Sequence, residues 1–132
     1  MSRITRNNEQ GSSAVEFALV LPLLVMVVLG IVQFGLLYSA KLTLDHAVRE
    51  GARAAILPDA TIGDVKGHVA DSGKAIDLKP GKVTAVACNE GNAGETVKIQ
   101  AEHVVPMDMA IVKFGAITLQ STAALRCPGL LP

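Results

Sequence analysis

Apolar positions fall along this chain in three regimes. From Phe17 to Tyr38 (FALVLPLLVMVVLGIVQFGLLY) they are nearly continuous, with no formal charge and Gln33 as the most polar side chain. A helix of about 22 residues at about 1.5 Å per residue spans about 33 Å, which matches a hydrocarbon core of about 30 Å. The run predicts one transmembrane helix. A cleaved secretory signal would have a shorter apolar region, about 7–15 residues, closed by a small-residue cut site. A buried helix of a soluble protein would need a larger host than the roughly 75 residues that follow the helix.

Beyond Tyr38 the pattern changes to helical spacing. Leu42, Leu44, Ala47, Val48, Gly51, Ala52, Ala54 and Ala55 recur between Lys41, Asp45, Arg49, Glu50 and Arg53, as in a helix with one apolar face. The helix is expected to continue out of the membrane to about Leu57. Pro58 stops it, because the residue before a proline is pushed out of the α region.

The third regime is alternation. Lys82–Cys88 (KVTAVAC), Thr96–Val104 (TVKIQAEHV) and Ile117–Arg126 (ITLQSTAALR) are rich in β-branched residues, with Pro80-Gly81 and Asn89–Gly94 between them as turns. They predict three antiparallel strands, preceded by a short helix over Ile62–Ala70. The apolar stretch Pro106–Gly115 could cover one sheet face or lie near the membrane. The expected fold class is α+β: a leader at 1–11, a long N-terminal helix over 12–57, and a small head over 58–132.

Composition narrows the function. Twelve Lys and Arg balance twelve Asp and Glu, and one Tyr, three Phe and no Trp leave few stacking surfaces, so nucleic acid is not an expected partner. Both cysteines, Cys88 and Cys127, lie after the apolar run, as expected if that half matures in an oxidising compartment. A disulfide is the leading reading, and two reduced thiols the alternative. Closing a loop of about 40 residues would contribute about 4 kcal/mol.

No catalytic constellation is present: G-x-S-x-G, a P-loop, HExxH and C-x-x-C are all missing, and no histidine is placed to serve a nucleophile. His46, His68 and His103 fall on three different predicted elements without ligand spacing. No cofactor, metal or small-molecule substrate is expected. Pro22 removes one helix hydrogen bond and reads as a local kink. Gly30 and Gly35 are not spaced as a GxxxG face. The Arg49–Arg53 segment reads as a solvated helical face, with a register-setting contact to neighbouring heads as the second reading.

The sharpest candidate chemistry is Gly11-Ser12-Ser13-Ala14-Val15-Glu16-Phe17. An acidic side chain at the centre of a membrane helix costs about 2.5–3.5 kcal/mol and less near its end. Glu16, one residue before the apolar run, therefore has two readings. It is a solvated carboxylate complementing the positive helix N-terminus. Alternatively it pairs with an ammonium that cleavage after Gly11 would create on Ser12, one turn away, within a chain or between stacked neighbours.

Gly11 through Leu29 (GSSAVEFALVLPLLVMVVL), then Gly30–Gly35 (GIVQFG) and Ala47–Ala55 (AVREGARAA), resemble the TadE-like proteins of tight-adherence (Tad/Flp) type IV pilus systems. A closing Ala-Leu-Arg-Cys at Ala124–Cys127 is similar too. The resemblance implies a minor pilin or pseudopilin of a type IV prepilin kind. A membrane prepilin peptidase would cut between Gly11 and Ser12, and Glu16, followed by the aromatic Phe17, would serve assembly. The implied partners are other Tad/Flp pilins and an inner-membrane assembly platform. Ser12 and Ser13 depart from the strongly apolar first residue of classical pilins. Arg3 and Arg6 favour a cytoplasmic N-terminus, but Lys41, Arg49 and Arg53 flank the other end, so charge alone leaves the orientation open. The cysteines and the resemblance put the head on the outer side of a bacterial inner membrane. The alternative function is a single-pass, membrane-anchored binding module that never enters a pilus.

Overall fold

The computed structural model describes residues 7–57, 59–108 and 113–129. The chain divides into two compact units, one ending at Leu36 and the other beginning at Leu37. Helix α1, Asn7–Ala54, contributes to both and contains Pro22. In the first unit its apolar side chains are exposed: Leu19 is 75% exposed, Ile31 68% and Phe34 73%. Among the described residues this is the one helix long and apolar enough to cross a membrane, and its most apolar stretch is wholly unburied within the protein. A contiguous apolar surface of this size is a membrane or partner surface, and the helix is a candidate single-pass anchor.

The second unit is the α+β head. The helix ends at Ala54 rather than at the expected Leu57. Ala55 still donates to the Gly51 carbonyl (3.0 Å), after which Leu57 donates to Ala54 and Ala60 to Leu57, both at 3.2 Å, in the tighter three-residue pattern. The Ala55 carbonyl accepts instead from the Cys88 N–H at 3.1 Å, which ties the helix end to the head. Pro58, invoked as the stop, lies outside the described residues.

Helix α2, Ile62–Ser72, outlasts the expected Ala70 by a half turn. Its start is a capping box: Thr61 Oγ1 accepts from the Asp64 N–H (3.2 Å), and the Asp64 carboxylate accepts from the Thr61 N–H (3.1 Å). The Thr61 contacts hold the exposed Asp64 carboxyl below its ordinary range. Val65 and Val69 are its buried residues.

The sheet contains β1 (Val83–Thr84), β2 (Thr96–Asp108) and β3 (Lys113–Arg126), antiparallel in the order β1-β2-β3. The first strand is far shorter than the expected Lys82–Cys88. Alternating burial does continue through Val83, Ala85 and Ala87, but only Val83 and Thr84 pair, with Ala101 and Gln100. The rest is drawn away by the Cys88–Ala55 hydrogen bond.

The other two strands are longer than expected. Within Pro106–Gly115 the described residues extend the β2–β3 ribbon rather than covering a sheet face, with Pro106 opposite Ala116 and Asp108 opposite Lys113 across a bulge. Pro106 is tolerated because β1 reaches only Gln100 and Ala101, so among the described residues one side of β2 has no strand neighbour at Pro106. Residues 109–112 lie outside the described set. The core joins Leu44, Val48 and Ala55 of the helical side to Val65, Val69, Leu78, Val83, Ile99 and Ala101, closed at its rim by Leu119, Ala123 and Leu125.

Candidate functional site

In the first unit, Gly11, Ser12, Glu16 and Phe17 all lie on α1 and all are exposed. The Gly11–Ser12 peptide is thus inside a helix, and a side chain at Gly11 would meet nothing within 4 Å. Ser12 and Glu16 are one turn apart, the separation at which helical side chains become neighbours. An amine at Ser12 and the Glu16 carboxylate would share one face of the helix.

In the head, the helix and β3 are joined by a polar cluster that the sequence did not single out. Lys41 Nζ donates to Asp45 Oδ1 at 2.9 Å and to the backbone carbonyl of Gln120 at 2.6 Å. Ser121, buried on the inward face of β3, lines the same cleft as Asp45; its hydroxyl first and the Lys41 ammonium second hold the Asp45 carboxyl below the usual carboxylate range. An exposed i,i+4 pair contributes only about 0.3–0.5 kcal/mol. The cluster's main effect is therefore to fix β3 against the helix. An open cleft of about 450 Å³ lies here between Lys41, Asp45 and Arg49 on one side and residues 120–124 on the other.

The opposite sheet face is polar and cross-linked. Gln100 Nε2 donates to Thr122 Oγ1 (3.1 Å) and Gln120 Nε2 to Glu102 Oε1 (2.9 Å), each between directly paired residues. Arg126 Nε donates to the Gly94 carbonyl at 3.0 Å, where Gly94 supplies the positive φ of 77° that the turn needs.

Cys88 and Cys127 form the disulfide, with Cα atoms 5.5 Å apart. Beside it the Cys127 N–H donates to the Glu95 carbonyl at 2.8 Å and the Cys88 N–H to Ala55. Three segments thus converge on the end of the helix: its own last turn, the residues after β1 and the end of β3. His46, His68 and His103 stay on α1, α2 and β2. Among the described residues, no three His, Cys, Asp or Glu side chains gather as metal ligands would.

Sequence reasoning missed the Lys41–Asp45–Ser121 cluster. The alternation of β3 marks Ser121 as inward-facing, the one polar residue among Leu119, Ala123 and Leu125, and that was an available signal. Nothing in the sequence pairs it with Asp45.

Residues 11–53 match the protein family described as TadE-like protein. The match begins at the glycine of the proposed cut and ends one residue before the end of α1. No curated protein and no solved structure matches the chain.

Proposed function

We propose, from the premise that residues 11–53 are a TadE-like segment, that this protein is a minor pilin or pseudopilin of a Tad-type pilus, cut by a prepilin peptidase between Gly11 and Ser12. The family match supports a Tad-pilus-associated, pilin-like role rather than an enzymatic one, and that match is the observation that carries the reading. After cleavage the apolar helix leaves the bilayer for, or remains beside, a bundle of pilin helices. Its exposed Leu, Val and Phe side chains are then covered by neighbours in place of lipid.

Glu16 works through charge pairing. A carboxylate at the edge of an apolar helix is tolerated in a packed bundle when a cation satisfies it. The new Ser12 ammonium, one turn away, is that cation within a chain or across to a neighbour. The head, with its disulfide, faces the oxidising side and supplies surface contacts. The membrane is the bacterial inner membrane, with the N-terminus cytoplasmic. The partners are the peptidase, other Tad/Flp pilins and the assembly platform, and the biological output is surface adherence.

The test is recovery of the protein in sheared pili. The Glu16→Gln protein should be processed and folded yet fall at least tenfold in the pilus fraction, while Glu50→Gln, at an exposed position in the head, should leave recovery unchanged. Absence of the wild-type protein from both pili and the assembly complex would leave a membrane-anchored binding module instead.

A further inference from the structure

We infer that the free edge of β3 is a strand-addition site: an extended, acidic peptide segment of a partner protein pairs with the backbone of Thr122 and Ala124, and Arg49 takes one of its carboxylates. This does not depend on the pilin reading. In the order β1-β2-β3 the third strand is at the edge of the sheet, and its alternation decides which backbone groups are free. A residue in an antiparallel strand turns its N–H and C=O to the same side, and successive residues turn to opposite sides. The Cys127 N–H reaches the Glu95 carbonyl (2.8 Å), one step beyond the Thr96–Arg126 pair in the same register, so the odd-numbered residues turn toward β2. The even-numbered ones turn away. Lys41 agrees with this, since its ammonium reaches the Gln120 carbonyl from the helix.

Past Gln120 that edge is bare. Among the described residues, the backbone N–H and C=O groups of Thr122 and Ala124 meet no backbone or side-chain partner on this side. A row of unpaired groups on an edge strand is a template for another chain, and proteins often blunt such edges with lysine. Lys41 does so at the Gln120 carbonyl and no farther. Beside the bare stretch lies the open cleft of about 450 Å³ between α1 and residues 120–124. An added strand runs about 4.7–4.9 Å from its neighbour, which places it along this cleft.

Charge selects the occupant. The charged side chains of the cleft are Lys41, Asp45 and Arg49. Lys41 is engaged by Asp45 and Gln120, whereas Arg49 is exposed and, among the described residues, in ion-pair contact with no carboxylate. Arg49 lies about 12 Å beyond Lys41 along a helix, and Ala124 lies about 13 Å beyond Gln120 along a strand. The two advances run in one sense, because Ala55 at the helix end accepts from Cys88, the disulfide partner of Cys127. Arg49 therefore stands level with the bare stretch. A carboxylate on the added strand gives the guanidinium its acceptor, while the backbone ladder supplies the pairing. A second copy of this chain does not meet the requirement through its own β3, since Lys113–Arg126 contains no Asp or Glu.

The experiment titrates the full chain in detergent micelles with a panel of capped heptapeptides of alternating threonine and valine, carrying one glutamate at each position in turn, and with a matching glutamine panel. Amide NMR and hydrogen exchange locate the binding. The best glutamate peptide should bind at least tenfold more tightly than its glutamine counterpart and protect the Thr122 and Ala124 amides. Arg49→Gln should erase that preference. Ala124→Pro should abolish binding yet keep the β2 pairing, because the lost N–H faces away from β2 and an edge strand tolerates proline there. No binding at millimolar peptide, protection confined to other residues, or equal affinity for the two panels would each overturn the inference. Undiminished binding by a folded Ala124→Pro protein would do the same. If Ala124→Pro does not fold, Arg49→Gln, altered only at an exposed side chain, still decides: a glutamate preference retained there overturns the site.

Discussion

Val69 places its Cγ2 where the side chain of residue 51 would begin, so α2 crosses the end of α1 over a bare backbone at Gly51. A Cβ there would overlap the valine and approach the Val65 carbonyl at 3.7 Å. Both valines are fully buried and have no room to retreat. Gly51→Ala gains about 1 kcal/mol of helix propensity but overpacks a sealed contact, at a cost of about 1–3 kcal/mol. We expect net destabilisation, seen as a lower denaturation midpoint of the head in detergent. Gly67→Ala is the matched comparison. It lies in α2 with nothing within 4 Å of the added carbon, and it should raise the midpoint through a stability gain of up to about 1 kcal/mol. A Gly51→Ala protein as stable as Gly67→Ala would refute the close crossing.

The disulfide closes a segment of sequence separation 39, and loop-closure entropy makes it worth about 4 kcal/mol to a small head. Reduction, or the Cys88→Ser, Cys127→Ser double variant, should remove a large share of the head's stability. Chemical denaturation with and without reductant measures the loss. A midpoint that does not move would mean that the helix end is held by the Cys88–Ala55 hydrogen bond and the core alone.

Asp45 titrates below its ordinary value in the folded head because the Ser121 hydroxyl and the Lys41 ammonium favour its charged form. A carboxyl depressed by folding stabilises the protein above its unfolded pKa, and that contribution disappears as pH falls through the folded value. The loss is thus confined to pH below about 4. Ser121→Ala removes the largest cause and should move the Asp45 midpoint up toward the ordinary range. Carboxyl carbon NMR shifts against pH read this directly, and an unchanged Asp45 midpoint in Ser121→Ala would contradict the contact.

Much of the fold was legible because it follows from local pattern. The uncharged run fixes the apolar helix, Leu44, Ala47 and Val48 continue its inward face into the head, and alternation around Ile99 and Ala123 gives the paired strands. The strand ends were not legible. Pro106–Gly115 read as an apolar stretch that could cover a sheet face or lie near the membrane, yet Pro106 pairs with Ala116 as part of β2, and Gly115 carries a φ of +90° within β3. Lys82–Cys88 alternates like a full strand, but a single hydrogen bond to Ala55 and the disulfide redirect its second half. Such diversions are tertiary and leave no periodic trace. At the candidate site the sequence marks Gly11, Ser12 and Glu16 by their place before the apolar run. Asp45 and Ser121 meet only through folding.

The central claim is that the chain is a prepilin, and the intact mass and N-terminal sequence of the membrane-extracted protein test it most directly, with and without a co-expressed prepilin peptidase. We expect a new N-terminus at Ser12 that depends on the peptidase and is lost, or reduced more than tenfold, in Gly11→Ala. Because Gly11 is exposed with open space around it, that variant should keep the head fold and its disulfide. A chain that retains the uncut Gly11–Ser12 bond beside an active peptidase would contradict the account.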